Sequence, residues 1–276
     1  MNARVLSLTG AEEKQITLPK AFSEEVREDL IRRAVLSERS YKLQPQGHSV
    51  LAGMQTTATY YGAMGSYRTG RHMGVAIRPR QKLGGGVQGM VRRIPSSVKG
   101  KRAHPHMIEK KIWERINKKE YQKAISSAIA ATLLAKHTTG QHKPPLIISK
   151  DIESVKKTKE VTKIFEKLGF ASLLKESKDK KHSKSGIRRG AVQKKYKKSV
   201  LLVLGSDKGA INAARNIAGS DVCTVDKMTA EILAPGGVPG RLTVWSEEAI
   251  ARLDDSISKL TPPGIEQAEK NKKAKQ

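Results

Sequence analysis

A 65-residue stretch, residues 44–108, places the strongest limit on how this chain can fold. It contains 10 lysine and arginine residues, no aspartate or glutamate, and 11 of the 23 glycines of the chain. Its apolar residues are scattered singly and follow neither the strand period nor the helix period. A stretch of this length without regular structure is uncommon inside a compact domain. We therefore expect a glycine-rich basic arm that is disordered alone and becomes ordered on a partner, and a disordered linker is the alternative.

The net charge of the chain is concentrated in two segments. Lysine and arginine number 53 against 26 acidic residues, which gives a formal net charge of +27. Besides the arm, residues 178–198 carry 10 basic residues and 1 acidic residue, whereas residues 199–276 carry 10 of each. Charge of this size destabilises a compact chain by self-repulsion unless a polyanion neutralises it. Nucleic acid is the leading candidate partner, and an anionic membrane surface is the second.

The character of the basic segments favours RNA among these polyanions. They lack the amphipathic apolar face that would insert into a membrane surface, and no run approaches the length of a membrane span, so we expect no membrane partner. A DNA reader should show a recognition helix or a zinc motif, and neither is evident. An irregular basic backbone suits folded RNA, and Tyr60, Tyr61 and Tyr67 could stack on unpaired bases.

Residues 178–198, the basic loop, permit two further interpretations, a solvated charge run and a localisation signal. We favour RNA contact because ten cations within 21 residues gain strongly from counterion release. The predicted RNA-binding residues of the arm and the basic loop are lysines and arginines that would anchor phosphates. They are Arg68, Arg71, Arg78, Arg80, Lys82, Arg92, Arg93, Lys99, Lys101, Arg102, Lys180, Lys181, Lys184, Arg188, Arg189, Lys194 and Lys195.

Around the basic segments, strand-like and helix-like patterns alternate. The apolar run at residues 200–204 has no polar alternation, which is typical of a strand covered on both faces in a parallel sheet. Residues 15–18 could pair with the first strand in a hairpin across Gly10. The other strand candidates are residues 5–8, 146–148, 222–225 and 242–245.

Helical periodicity and capping residues predict helices between the strands. Asn117 and Glu120 form a capping box that should begin one helix, with an apolar face at Ile125, Ala128, Ile129 and Leu133. Gly169 should end another, because glycine readily takes the left-handed conformation after a helix. The predicted helices cover residues 24–40 with Ser23 as N-cap, 109–116, 117 onward, 153–168, and the segments after Gly209 and Ser246.

This alternation predicts the α/β fold class, as a single doubly wound domain with a mostly parallel sheet and a long irregular arm that penetrates RNA. Residues 1–43 form the first part of the α/β domain, and residues 44–108 form the arm. Residues 109–260 form the remainder of the domain with the basic loop, and residues 261–276 form a polar tail.

Catalytic and cofactor sites find little support in the sequence. The turn at residues 205–209 lacks the third glycine of a dinucleotide fingerprint and the Gly-Lys-Ser/Thr end of a phosphate loop. A tight turn that caps a helix is the simpler interpretation, and a nucleotide-dependent enzyme is the alternative function. His104 and His106 lack a nearby carboxylate or cysteine to complete a metal site. A single cysteine, Cys223, excludes an internal disulfide. We therefore expect no enzyme activity, no catalytic residue, no cofactor and no metal.

Several motifs resemble those of a known family. Thr69-Gly70-Arg71, Pro79 and Gly84-Gly85-Gly86 are similar to its Gly-Arg, Pro and Gly-Gly-Gly loop signature. Residues 91–95, 99–105 and 126–132 look like its archaeal-type continuation, and residues 222–249 look like its final strand–helix unit. By the order and spacing of these motifs, the chain resembles the large-subunit ribosomal protein L-four family, in its archaeal and eukaryotic-type branch.

The resemblance implies a structural constituent of the large ribosomal subunit that binds large-subunit rRNA early in assembly. The family's arm threads through rRNA and helps to line the exit tunnel, so Tyr67, Arg68, Arg71 and His72 are expected at a tunnel-facing tip within residues 67–82. The implied partners are several rRNA domains, neighbouring large-subunit proteins and the nascent polypeptide, with no homo-oligomer. The implied location is cytoplasmic, in the ribosome.

Overall fold

The computed structural model describes residues 1–65, 71–134, 144–179, 181–182, 194–195 and 197–262. The chain divides into two units by its backbone contacts. Unit 1 comprises Met1–Lys42 and the chain from Trp113 onward, and unit 2 comprises Leu43–Ile112. The arm predicted over residues 44–108 therefore lies within unit 2.

The described residues form both β-strands and α-helices. The strands are β1 (Asn2–Leu6), β2 (Glu12–Thr17), β3 (Arg80–Lys82), β4 (Gln88–Val91), β5 (Leu146–Ile148), β6 (Lys181–His182), β7 (Lys194–Lys195), β8 (Leu201–Leu204), β9 (Asp221–Thr224) and β10 (Thr243–Ser246). The helices are α1 (Glu28–Tyr41), α2 (Lys118–Ala131), α3 (Thr158–Lys167), α4 (Ala171–Lys178), α5 (Ala210–Ala214), α6 (Ala230–Leu233) and α7 (Glu247–Lys259). None of these described helices is both long and apolar enough to cross a membrane.

A six-stranded sheet forms the centre of unit 1, in the order β2-β1-β5-β10-β8-β9. β1 and β2 pair antiparallel as a hairpin, and the other neighbouring strands pair parallel. Gly10 lies in the hairpin connection with a φ of 90°. The predicted N-terminal hairpin and the mostly parallel sheet are both confirmed.

One row of paired residues crosses five strands of the sheet. Val5 pairs with Ile147, Ile147 pairs with Trp245, Trp245 pairs with Val203, and Val203 pairs with Cys223. All five side chains belong to one hydrophobic cluster. Strand register and core packing therefore depend on the same residues, because a one-residue slip would turn the whole row to the other face.

Alternate residues of β8 face opposite helical layers, which explains its continuous apolar sequence. Leu201 and Val203 belong to the cluster with α1, α2, α6 and α7, whereas Leu202 and Leu204 belong to a second cluster with α3, α4 and α5. All four side chains are fully buried. The predicted strand covered on both faces is confirmed, and so is the doubly wound α/β fold.

The helix predicted over residues 109–116 is wrong. The described backbone there is not helical, and Glu114 is held along α1 by side chains of that helix. The Glu114 amide donates to Ser40 Oγ at 2.9 Å, and the Glu114 carbonyl accepts from Ser37 Oγ at 2.7 Å. These long-range hydrogen bonds satisfy the backbone in an irregular conformation, so the spacing of Ile112 and Ile116 does not signal a helix.

Two predicted helices begin later than their sequence signals indicated. Ser23 ends a short 3-10 turn and makes no capping hydrogen bond, so α1 begins at Glu28. A second 3-10 turn, Lys150–Ser154, precedes α3. Asn117 precedes α2 as predicted, but its side chain makes no capping bond. α4 and α6 were not predicted.

The ends of α3 and α7 are confirmed in detail. Gly169 follows α3 with a φ of 86°, in the left-handed region. Ser246 caps α7, because its Oγ accepts a hydrogen bond from the Ala249 amide at 3.1 Å.

Unit 2 contains a short antiparallel pair, β3 with β4, so the expectation of no regular structure in the arm is wrong. Neither hydrophobic cluster includes a described residue of unit 2. Close backbone crossings take the place of an apolar core. A Cβ atom added to Gly53 would lie 2.3 Å from the Gly100 carbonyl oxygen, so no side chain fits at this crossing.

At the carboxyl edge of the sheet, the Glu153 side chain lies between the ends of β8 and β10. Its carboxylate accepts hydrogen bonds from the Gly205 amide at 2.8 Å, from Ser206 Oγ at 2.8 Å and from Ser246 Oγ at 2.7 Å. The side chain is fully buried. Burial opposes its ionisation, but the hydrogen bonds prevail and lower the pKa of Glu153 to about 2. The fold therefore holds a buried internal anion at this edge.

This position is the crevice in which open α/β sheets usually bind ligands, because helices leave neighbouring strands toward opposite faces there. α5 follows β8 in the second cluster's layer, and α7 follows β10 in the first. A Cβ atom added to Gly205 would lie 2.7 Å from the carbonyl carbon of Glu248, so α7 packs directly on the turn. The Glu153 carboxylate, paired with Lys208 at 3.4 Å, lies in this crevice and would oppose a nucleotide phosphate, which disfavours the nucleotide-dependent enzyme.

Replacing Glu153 with glutamine is expected to lower the free energy of unfolding by about 2–3 kcal/mol at neutral pH, because the amide nitrogen cannot accept the bonds that end on the carboxylate. Because the pKa of Glu153 is lower in the folded state than in the unfolded state, its ionised carboxylate stabilises the fold fully only above the unfolded-state pKa. The wild-type advantage should therefore shrink as the pH falls from 4.5 toward about 2. Urea denaturation across this pH range measures both effects.

Glu160→Gln is the matched control, because Glu160 is an exposed glutamate of α3 that lies 3.7 Å from Lys157. Its substitution should change stability by less than about 0.5 kcal/mol. Equal stability of Glu153→Gln and the wild type at neutral pH would contradict the role of the buried carboxylate.

Deleting residues 60–95 is expected to leave unit 1 cooperatively folded, because both of its hydrophobic clusters exclude unit 2. The thermal midpoint followed by circular dichroism should shift by only a few degrees. Loss of the cooperative transition would show that unit 1 depends on the deleted segment.

Candidate nucleic-acid interface

The cations of unit 2 that the structure describes have no carboxylate partners. No salt bridge involves a described residue of Leu43–Ile112, although ion pairs are frequent elsewhere in the described chain. Uncompensated positive charge at this density is the electrostatic signature of a nucleic-acid-binding surface.

Unit 1 differs, because many of its described cations are paired with acids, some of them half-buried. Asp221 contacts Lys198 at 2.7 Å and Arg241 at 2.7 Å. Burial raises the pKa of Asp221, but these two cations outweigh it and the net pKa is lowered. Lys197 likewise contacts Glu176 at 2.6 Å. The basic loop's last two lysines are therefore already paired with acids of unit 1.

Four predicted RNA-binding arginines of unit 2 are tethered to backbone carbonyls. Arg71 donates to the Gly62 carbonyl at 2.9 Å, Arg80 donates to the Ala76 carbonyl at 3.2 Å, and Arg93 donates to the Ala58 carbonyl at 3.2 Å. Arg92 donates to the Val98 carbonyl. A guanidinium has five N–H donors, so these tethers orient the group and leave donors for phosphate oxygens.

Three residues of unit 2 adopt the left-handed backbone conformation without being glycine. They are His72, Arg93 and Lys99, with φ values of 61°, 68° and 59°. Each such conformation costs roughly 1–3 kcal/mol and is typical of ligand-contacting segments. All three side chains are exposed, and all three residues are cationic or imidazole-bearing. The backbone strain therefore falls on residues suited to phosphate contact.

Exposed aromatic rings accompany the cations. Tyr60 is 62% exposed and Tyr61 is 40% exposed. Lys82 Nζ lies 5.3 Å from the centroid of the Tyr61 ring. Hydrogen bonding with Lys82 lowers the pKa of the Tyr61 hydroxyl. Both rings are exposed, and their stacking on bases stays a prediction, whereas Tyr67 lies outside the described residues.

The predicted site residues divide by how the structure describes them. Arg80 and Arg92 are half-buried, and the exposed members are Arg71, His72, Arg78, Lys82, Arg93, Lys99, Lys101 and Arg102. For the basic loop, β6 pairs antiparallel with β7, so that Lys181 lies opposite Lys195 and His182 opposite Lys194. The residues outside the described part of the chain are Tyr67, Arg68, Lys180, Lys184, Arg188 and Arg189.

Sequence analysis missed one aromatic feature of unit 1. Tyr41 ends α1, and its ring is stacked with that of Trp113. A tryptophan within a strongly charged segment was the available signal, but the predicted helix over residues 109–116 obscured it.

Catalytic chemistry finds no support in the described residues. They contain no group of three or more histidine, cysteine, aspartate or glutamate side chains that could hold a metal ion. Burial raises the pKa of the Cys223 thiol to about 12, so this side chain is an unreactive core residue.

Comparison with known proteins gives one consistent result. The sequence matches the Ribosomal protein L4/L1 family over residues 16–256. It is 42% identical to "Large ribosomal subunit protein uL4" of Methanocaldococcus jannaschii over 268 residues, which cover 92% of this chain and 99% of that protein. The protein of the same name from Archaeoglobus fulgidus is 40% identical over 263 residues, with the same two coverages.

A third relative of the same name, from Methanococcoides burtonii, is 42% identical over 261 residues, which cover 91% of this chain and 97% of that protein. The L4/L1 family is structural and non-enzymatic, which confirms the expectation that the chain is not an enzyme. Identity at this level over nearly the whole length establishes the assignment: the chain belongs to the ribosomal protein L4/L1 family, in its archaeal-type branch.

Proposed function

We propose that this chain is a structural constituent of the large ribosomal subunit and a primary binder of large-subunit rRNA that acts early in assembly. Its location is then the ribosome in the cytoplasm. The observation that carries the proposal is the complete absence of ion pairs among the described cations of unit 2. The names of the archaeal relatives, which are large-subunit proteins, support it.

RNA binding follows from how unit 2 holds its charge. Exposed cations such as Arg78, Lys101 and Arg102 present unpaired donors, while the tethered arginines offer fixed guanidinium planes. Phosphate contacts of this kind fix position on RNA and release counterions. The glycine crossing at Gly53 and Gly100 lets backbone pack closely, which suits a segment confined between RNA surfaces.

The tip of the arm is proposed to help line the exit tunnel for the nascent polypeptide. This part of the proposal assigns Tyr67, Arg68, Arg71 and His72 to the tunnel wall. The left-handed backbone of His72 supports an orientation fixed for contact. Neighbouring large-subunit proteins are the other proposed partners, and the 178–198 basic loop is proposed as a second rRNA contact.

Binding to large-subunit rRNA is expected to weaken by about three to five decades between 50 and 200 mM salt, as about ten phosphate contacts require. Filter binding of the full chain to an rRNA transcript measures the slope. Arg78→Gln and Arg102→Gln should each reduce the slope of the logarithm of the binding constant against the logarithm of the salt concentration by about one. Each substitution removes one phosphate contact.

Arg215→Gln supplies the matched control, since Arg215 is an exposed arginine of unit 1 with no ion pair among the described residues. Its affinity and slope should equal those of the wild type. A flat salt response of the wild type, or equal effects of all three substitutions, would refute the proposed interface.

Gly100→Ala is expected to weaken rRNA binding without changing the thermal midpoint of unit 1. The added Cβ would lie 2.0 Å from the Ile94 carbonyl oxygen, so the turn that orients Arg92 and Lys99 must open. Gly84→Ala is the control, because a Cβ there meets no atom within 4 Å. Identical affinity of the two variants would show that this turn does not position the interface.

A further inference from the structure

Unit 1 carries an aromatic pair that its core does not use. The rings of Tyr41 and Trp113 are parallel to within 1°, and their centroids lie 6.3 Å apart. Trp113 is 44% exposed, whereas the other tryptophan, Trp245, is fully buried. Neither ring of the pair belongs to a hydrophobic cluster of unit 1. A single exposed apolar residue needs no explanation, but this pair has two further properties.

The first property is a fixed backbone on both sides of the pair. Tyr41 is the last residue of α1. Trp113 directly precedes Glu114, whose amide and carbonyl are both hydrogen-bonded to serines of α1, Ser40 and Ser37. Both rings therefore project from backbone that is already ordered, and a ligand that stacks on them avoids most of the entropy cost of ordering its site.

The second property is the positive charge beside the pair. A cavity of about 410 Å³ opens next to Tyr41, within the size range of small-ligand sites, and Lys42 and Lys227 line it. Lys227 is exposed and has no ion pair among the described residues. Arg115, two residues beyond Trp113, is likewise exposed and without an ion pair in the described chain.

The carboxylates that line the same cavity are turned toward partners inside the protein. Glu38 accepts hydrogen bonds from the Tyr121 hydroxyl at 2.7 Å and from the Ala230 amide at 2.7 Å. Asp226 accepts one from Ser256 Oγ at 2.9 Å. The cavity therefore presents the unpaired Lys227 ammonium near the Tyr41 ring, whereas the Lys42 ammonium is paired with Glu231.

We propose that Tyr41 and Trp113 form a stacking site for an unpaired base of RNA, with Lys227 contacting the phosphate beside it. An aromatic face next to cations is the combination that binds single-stranded nucleic acid, since every base offers a π-face. The cations favour RNA over an apolar protein segment as occupant. The proposal rests on the proposed rRNA binding and adds a contact in unit 1, outside both basic segments.

Tryptophan fluorescence of the full chain tests the proposal, because Trp113 is exposed and Trp245 is buried. A single-stranded RNA of about eight nucleotides without self-complementarity should quench Trp113 and shield it from acrylamide. Inorganic polyphosphate, which supplies charge without bases, should bind without this quenching. Equal quenching by both polyanions would overturn the stacking site.

Trp113→Leu should abolish the RNA-dependent quenching and weaken binding of the short RNA about fivefold to a hundredfold, whereas Trp113→Phe should keep part of the affinity. Leu36→Ala is the control, because Leu36 is an exposed apolar residue of α1 outside the pair, and it should match the wild type.

The failure of this site and of the proposed function can be told apart. If RNA binds with strong salt dependence but leaves Trp113 exposed to acrylamide, the stacking site is refuted and the rRNA-binding function stands. If no RNA binds, both fall. Shielding of Trp113 in the large subunit but not in the protein–RNA complex would assign the pair to a protein neighbour and overturn the proposal.

Discussion

Mutual repulsion among the cations of unit 2 is the constraint on which the rest of the structure depends. Residues 43–112 contain 12 lysines and arginines and one acidic residue, Glu109. Such a segment can bury neither an apolar core nor a set of ion pairs. It is held instead by arginine–carbonyl hydrogen bonds and by close backbone crossings, and it remains a surface that a polyanion can complete.

Unit 1 contains nearly all of the acidic residues, and these form its ion pairs and its buried hydrogen-bond acceptors. Asp221 and Glu231 each bind two cations, and Glu153 and Glu38 serve as buried acceptors for backbone amides. Burial raises the pKa of Glu38, although its hydrogen bonds oppose that shift. The crevice that many α/β sheets use for a ligand is thereby occupied by the protein's own side chain. In this chain, the position that holds a ligand in many α/β enzymes holds an internal carboxylate instead.

Sequence reasoning succeeded where local pattern and tertiary environment agree. The apolar run at 200–204 predicted a strand buried on both faces, and Ser246 predicted the start of α7, because strand burial and helix capping are determined by neighbouring residues. It failed at residues 109–116, where serines of α1 hold the backbone of Glu114 from 74 and 77 positions away. The same limit applies to the candidate interface. Charge and glycine content predicted which segment forms it, but the tether from Arg93 to Ala58 spans 35 positions and follows no local rule.

The hydrogen bonds from α1 to Glu114 join the two ends of the segment that contains unit 2. Contacts within unit 1 hold together the two residues that flank unit 2. The α/β core therefore offsets the entropy lost when the chain closes the loop that unit 2 forms. For a flexible loop, each doubling of length adds only about 0.6 kcal/mol of closure entropy. Insertions or truncations within the arm would therefore be nearly neutral for the folding of unit 1. The length of the arm can therefore vary while the α/β core keeps its fold.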